Sequence, residues 1–428
     1  MTDGYRMRLR RISRSGARDS RAVTVATLCG VSLAACGVVA LWWAVLAAMA
    51  SATATGLRPC DLYAWGGTPC MAAHSTTRAL YAGYRGPLYE VERASDHREL
   101  RITSLADGYA DAAAQDAFCA KTTCIITRVF DQSPNHNDLT IAGPGGNGGQ
   151  ERGVVANRLP VFIGGHKVYG MRFEGKMGYR DNQTKGIATG AQPESLYMVT
   201  SGMHYNKRCC FDYGNAETNG RDTGNGHMDA IYFGTDCFIK WPVCYGHGPW
   251  VQADLENGLF MSNVGAEKDI TYTGNTTPFV TAMLENNGVD TFALQNADAQ
   301  RGPLHTHWSG PLPASPLDNH PPFVTLPVSP SAPGPMTPNP PLAGYSPMHK
   351  EGGIVLGTGG DDSDAAVGSF FEGVMTFGYA TNATDDAVQA DIVNAGYATA
   401  SPSASPRPKI SLAASPGPRS SESEPAKA

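Results

Sequence analysis

Charged residues are few in this chain: Asp, Glu, Lys and Arg make up only 17% of 428 residues. Long stretches of helical periodicity are also scarce. Neither a P-loop nor a glycine fingerprint joining a strand to a helix is present, which argues against nucleotide cofactors. The Gly-x-Ser-x-Gly elbow of serine hydrolases is missing, so Ser-His-Asp chemistry ranks low. No Cys-x-x-Cys pair is matched by a second one, which ranks a zinc site low. No loop carries the ligand spacing of an EF-hand. What the chain does hold is glycine, 49 residues, and ten cysteines.

Long apolar runs are confined to the start. Arg6, Arg8, Arg10, Arg11, Arg14, Arg18 and Arg21 stand against Asp3 and Asp19, a net +5, ahead of an Ala-rich apolar stretch from Ala22 to Ala50. Small-residue sites follow at Ala50-Ser51-Ala52 and Ala52-Thr53-Ala54. This order describes an export leader. The stretch is also long enough for a retained signal anchor with its basic end in the cytoplasm. In either case residues 1–56 are leader and the working domain faces outward. Setting aside that +5 leaves −11 of the chain's −6 on the remainder, an acidic body unsuited to phosphate backbones.

Cys29 and Cys36 lie in the leader. The other eight form close couples: Cys60 with Cys70, Cys119 with Cys124, Cys209 with Cys210 and Cys237 with Cys244. An even number after a leader suggests an oxidised, exported domain, although eight cysteines allow about 105 pairings. Cys209 and Cys210 are neighbours in sequence. Adjacent Cα atoms sit about 3.8 Å apart across a trans peptide, whereas a disulfide favours roughly 4.4–6.8 Å. A bond between them is uncommon, and a chain that keeps one has a use for it. Pairing elsewhere is the rival reading.

Short apolar or alternating runs between Gly/Asn/Asp turns predict an all-β body, a β-sandwich or jelly roll. The runs are Leu196–Thr200, Ala230–Phe233, Phe279–Leu284, Gly353–Leu356 and Val374–Tyr379. A few short helices are expected near His74–Tyr84, Ala110–Cys119 and Asp385–Ala395. The body spans 57–398. Residues 311–341 read as a proline-rich surface insertion, and 399–428 as a disordered Ser/Pro/Ala tail.

The chemistry candidates are carboxylates. In Trp250 to Phe260, strand alternation puts Gln252, Asp254 and Glu256 on one face, and Val251, Ala253 and Leu255 on the other. That polar row suits a wet concave surface; the rival is an exposed face of antiparallel sheet. Asn257-Gly258 signals a tight turn. A second candidate is the apolar run Gly353 to Leu356, which leads through Gly357-Thr358-Gly359-Gly360 into Asp361-Asp362-Ser363-Asp364. A plain solvated turn or a calcium loop are its rivals. Two carboxyls on separate elements can hydrolyse a glycoside, one ionised and attacking, the other holding a proton for the leaving oxygen. Trp241, Trp250 and Tyr179 are available to stack on a sugar.

The stretches PCDLYAWGGTPCMAAHSTTRALY, DAAAQDAFC, DQSPNHNDLT, CCFDYGNAET, GNGHMDAIYFG, GPWVQADLENGLF and EGGIVLGTGGDDSD occur in order from about Pro59 to Tyr397. In these motifs the chain resembles the catalytic domain of glycoside hydrolase family 54, the α-L-arabinofuranosidase B type. The resemblance implies a concanavalin-like β-sandwich and a retaining mechanism without metal or organic cofactor. It places the nucleophile on Glu256 and the acid/base on Asp361. It places sugar contacts on Asp254, Asn257, Gly258 and Gly360, and a vicinal disulfide on Cys209–Cys210. An aromatic wall falls near Trp241. Cys60–Cys70 and Cys119–Cys124 match further disulfides of the family, and Cys237–Cys244 looks additional. The expected partner is a plant cell-wall polysaccharide or arabino-oligosaccharide, met without nucleic acid, and with a membrane only through an uncleaved leader. A lectin-like module that binds arabinose polymers without cleaving them is the alternative, because fold does not fix function. A glycosidase of other sugar preference is a third reading.

Overall fold

Alternation along the strands builds this molecule. In the computed structural model, which describes residues 56–236, 246–256, 259–260, 267–268, 272–310 and 348–400, Tyr213, Ile231, Phe233, Val251, Ala253, Ile354 and Leu356 enter one central core. Side chains alternate across a strand, so Asp212, Tyr232, Gln252, Asp254 and Val355 share the opposite face. They are buried there too, which removes the expectation of a solvent-washed sheet face.

Two ten-stranded antiparallel sheets form among the described residues. The site-bearing sheet runs, neighbour to neighbour, Leu259–Phe260, Trp250–Asp254, Asp229–Gly234, Asp212–Ala216, Gly353–Leu356, Tyr179–Asp181, Leu139–Ile141, Cys124–Val129, Pro87–Arg93, Glu99–Thr103. The other has Val280–Asn286, Glu194–Thr200, Val367–Thr376 and His166–Glu174 at its centre. Rings interlock between the two: Phe260 on Trp308 at 4.8 Å, Tyr213 on Phe370 at 5.3 Å, Phe173 on Phe211 at 5.5 Å. Each such pair contributes about 0.5–1.5 kcal/mol beyond burial.

Three short helices accompany the sheets among the described residues. Helix α1, Pro59–Trp65, starts with proline in its first turn, and Asp61 Oδ2 accepts from Arg58 N at 3.0 Å. Helix α2, Ala112–Phe118, is capped by Asp111, whose Oδ1 accepts from Ala114 N at 3.0 Å. Helix α3, Asn382–Ala395, is capped by Thr381 and ends at Gly396 in the left-handed region, φ 74°. Disulfides Cys60–Cys70 and Cys119–Cys124 brace α1 and α2 against the strands that follow them.

Three expectations change. His74–Tyr84 is not a helix: Cys70–Ser75 is a strand paired to Val367–Thr376, and turns follow. The buried Ser75 and Thr77 hydroxyls donate to Phe371 O, and Thr76 donates to Tyr169 O, long-range bonds that outweigh local helix preference. The strand expected over Val374–Tyr379 ends at Thr376, and α3 begins at Asn382 rather than Asp385. The leader, the segment 311–341, the tail from Ser401 and the Cys237–Cys244 couple lie outside the described residues. Among the described residues no helix is long and apolar enough to cross a membrane.

Candidate active site

The strand Trp250–Asp254 delivers Asp254 to the buried face, and the chain then turns sharply. Glu256 is not a strand residue; it has φ 59°, a left-handed conformation that non-glycine residues rarely adopt and that clusters at functional sites. Its backbone N–H donates to Asp254 Oδ1 at 3.1 Å, which ties the turn to the Asp254 carboxylate. The loop 217–227 covers this turn, with Gly226 N donating to Leu255 O at 2.7 Å.

Cys209 and Cys210 are joined through a disulfide and a cis peptide, on the approach to the strand Asp212–Ala216. Cys210 Sγ lies 3.2 Å and Cys209 Sγ 3.8 Å from Asp254 Oδ2. Disulfide sulfurs have no proton to give, so a hydrogen bond there requires a protonated Asp254. Burial, with the nearby Glu217 and Asp361 charges, does push Asp254 up to about 7, against the hydrogen bond from Glu256 N.

The acidic loop reaches the same place from the strand Gly353–Leu356. Gly357 N donates to Asp212 O at 2.8 Å and Cys210 N donates to Ser363 O at 3.0 Å, so the loop is stitched to the vicinal cysteines. Asp361 Oδ1 accepts from Ser363 N at 2.9 Å and Ser363 Oγ at 2.6 Å, while Oδ2 accepts from Asn147 Nδ2. Gly360 is glycine for lack of space: a Cβ would run into Glu217 Oε2 and stand 3.0 Å from Met228 Sδ. Buried Arg180 locks the loop. It pairs with Asp362, reaches Gly360 O at 3.2 Å from both Nη atoms, and holds Glu217 O at 2.8 Å.

Five carboxyls therefore crowd one buried spot: Asp212, Glu217, Asp254, Glu256 and Asp361. Burial and then the charges of Asp254, Glu217 and Asp361 push Glu256 up to about 11. Burial raises Glu217 to about 7. Asp212 stands well above the usual carboxylate range through burial and its neighbour Asp254. Burial among the others thus pushes Asp212, Glu217, Asp254 and Glu256 toward their protonated forms.

Of the residues singled out by sequence, the structure brings Cys209, Cys210, Asp254, Glu256, Gly360 and Asp361 together. Asn257, Gly258 and Trp241 lie outside the described residues. Tyr179 and Trp250 are not available to stack on a sugar. Tyr179 is wholly buried and donates its hydroxyl to Ile126 O at 2.7 Å; Trp250 is buried in a cluster with Tyr272. Sequence reasoning passed over Asp212 and Glu217, although both fall inside the CCFDYGNAET stretch, and over Asn147 and Arg180, which carry no local signal.

The chain matches known proteins over most of its length. The profile of the family described as α-L-arabinofuranosidase B, catalytic, matches residues 59–324 and 335–398; the gap falls inside the proline-rich segment. An α-L-arabinofuranosidase B of Emericella nidulans is 48% identical over 365 residues, covering 83% of this chain and 65% of the relative. Two solved structures superpose with 80% of this chain and 66% of theirs covered. One is a GH54 α-L-arabinofuranosidase soaked with a cyclic sulfate inhibitor, at 44% identity and TM-score 0.68. The other is an arabinofuranosidase complexed with arabinofuranosyl-α-1,2-xylobiose, at 43% and 0.67. The chain thus spans about two thirds of the length of these relatives.

Proposed function

This chain belongs to the α-L-arabinofuranosidase B catalytic family, and from that premise we propose that it is a retaining α-L-arabinofuranosidase built on a concanavalin-like sandwich. It removes terminal, non-reducing α-L-arabinofuranosyl residues from arabinan, arabinoxylan or arabino-oligosaccharides. The observation that carries the reading is convergence: three segments well separated in sequence bring Glu256, Asp361 and the vicinal cysteines to one buried spot around Asp254. The branched xylobiose held by one relative supports the arabinoxylan side of this range.

Glu256 attacks the anomeric carbon and forms a covalent arabinosyl ester. The departing oxygen takes its proton from Asp361, which then removes a proton from the incoming water so that hydroxide releases the sugar with retained configuration. Asn147 and Ser363 fix the Asp361 rotamer for both tasks. The disulfide gives the furanose a flat, polarizable wall, with Asp254, Asn257, Gly258, Gly360 and Trp241 completing the sugar site. No metal or organic cofactor takes part. Residues 1–56 direct export or tether the domain outside the cell, and Cys237–Cys244 forms a further disulfide.

A panel of aryl glycosides tests this. The arabinofuranoside should be cleaved far faster than the xyloside, galactoside or glucoside, and Glu256→Gln should abolish that cleavage. Binding of arabino-oligosaccharide without turnover would instead support the lectin-like alternative.

A further inference from the structure

Glu217 follows the strand Asp212–Ala216 and is fully buried; its own backbone N–H, that of Thr223 and the Glu256 carboxyl stand near enough to favour its ionised form, yet neither carboxylate oxygen has a well-formed hydrogen bond. Carboxylate oxygens of Glu217, Glu256 and Asp222 lie within 4.8 Å of one another. Gly360, next to Asp361, leaves no room for a Cβ over Glu217 Oε2. An ionised carboxylate can only accept hydrogen bonds. Two of them facing each other in a buried site repel, whereas a single proton between them converts repulsion into a hydrogen bond. A proton shared with Glu256 would give the Glu217 oxygens the well-formed hydrogen bond they lack.

Resting on the reading of Glu256 as nucleophile, we propose that Glu217 is a positioning residue that shares one proton with Glu256 and, once it holds that proton, hydrogen-bonds the attacking carboxylate. Before attack the proton passes from the Glu256 carboxyl to the Glu217 carboxylate, and the O–H electron pair stays on Glu256. Glu256 is then an anion able to attack, steadied by a neutral donor, and no external base is consumed.

The surroundings favour retention of that proton. Asp254 faces the pair from the neighbouring strand segment, Asp361 from the acidic loop, and Asp212 from the strand before Glu217. Asp222 faces it from loop 217–227. Glu351 adds another negative charge; burial works against its ionisation, but hydrogen bonds from Thr223, His227 and Thr218 hold it down to about 2. The Arg180 guanidinium reaches the Glu217 backbone carbonyl and pairs with Asp362. Burial accordingly lifts both members of the pair, Glu256 to about 11 and Glu217 to about 7.

The test compares wild type, Glu217→Gln and Glu217→Ala on an aryl arabinofuranoside with a good leaving group, so that protonation by Asp361 does not limit the rate. The wild-type profile should be a bell whose alkaline limb reports loss of the shared proton. E217Q carries a neutral donor that cannot ionise; its alkaline limb should vanish, and its kcat should fall less than that of E217A. E217A should lose roughly 10–100-fold in kcat with little change in KM, and its acid limb should move to higher pH because the nucleophile anion has lost its hydrogen bond. A profile of E217Q that superimposes on wild type overturns the proposal, as does a calcium-dependent wild-type profile, which would put a cation where the proton is placed. Infrared difference spectra at neutral pH decide independently of turnover: wild type should show a protonated-carboxyl band that E217Q diminishes, and identical spectra overturn the sharing. If wild type cleaves no arabinofuranoside, the reading of Glu256 falls while the infrared comparison still decides Glu217.

Discussion

Arg180→Met removes the cation that organises the acidic loop. The guanidinium is buried and its partner Asp362 is buried with it. It also satisfies the carbonyls of Gly360 and Glu217, and Asn182 Oδ1 accepts from its Nε at 2.8 Å. Breaking a buried pair from one side costs about 3–5 kcal/mol because the remaining charge is left uncompensated. At roughly 2 °C per kcal/mol for a domain of this size, the melting temperature should drop by about 6–10 °C. The deficit should grow with pH. Burial already raises Asp362 against the pull of Arg180; without Arg180 its carboxyl rises further, is protonated at low pH and ionises at a cost as pH increases. Adding Asp362→Asn removes that charge and should recover more than half of the lost stability. Because Arg180 fixes the backbone on both sides of the site, kcat/KM on an aryl arabinofuranoside should fall about 10²-fold, the penalty expected for a displacement of about 1 Å. Arg180→Lys keeps the charge but not the fork of donors, and should rescue stability better than activity. If Arg180→Met melts within about 1 °C of wild type at every pH and keeps its kcat/KM, the locking role of Arg180 is wrong.

Two further perturbations probe other parts of the molecule. On the proposed reading, replacing both Cys209 and Cys210 by alanine strips one wall of the sugar site and should raise KM about tenfold, the equivalent of roughly 1–1.5 kcal/mol of lost contact, with a smaller change in kcat; an unchanged KM would reduce the pair to a structural brace. At the first turn of α3, Asp385 meets Glu285, and burial first of all pushes Asp385 up to about 7. Its folded pKa exceeds the unfolded value of about 3.9, so the folded state binds more protons and stability falls as pH rises from about 4 through 7. Asp385→Asn should flatten the decline of melting temperature over that window, and a slope parallel to wild type would contradict the assignment.

The core was legible because a period of two is a strong signal where one face packs against a second sheet. Leu196–Thr200, Ala230–Phe233 and Gly353–Leu356 all fall within observed strands. His74–Tyr84 misled because its small residues and hydroxyls find partners far away in sequence, which no local pattern announces. Helix α1 carries a local start signal, proline followed two residues later by aspartate. In the site, Asn257-Gly258 predicts a tight turn, while the chain leaves the strand after Asp254 and turns left-handed at Glu256. Asp254, Glu256 and Asp361 sit in motifs long enough to be compared with a family. Arg180, Asn147 and Glu217 act through tertiary contacts: a guanidinium on two carbonyls, an amide on Asp361, a carboxyl facing Glu256. Such roles arise only when the strands are in register.

The central claim is that Glu256 becomes covalently bonded to the sugar while Asp361 serves both steps. Asp361→Ala with an activated aryl arabinofuranoside should still form the intermediate, because a good leaving group needs no acid, but should release it slowly for want of a base. Peptide-mapping mass spectrometry of the quenched reaction should then find one pentosyl residue on the peptide containing Glu256, and azide should speed turnover by intercepting it. A pentosyl group on another residue, or no adduct together with a first-formed sugar of inverted configuration, would contradict the account.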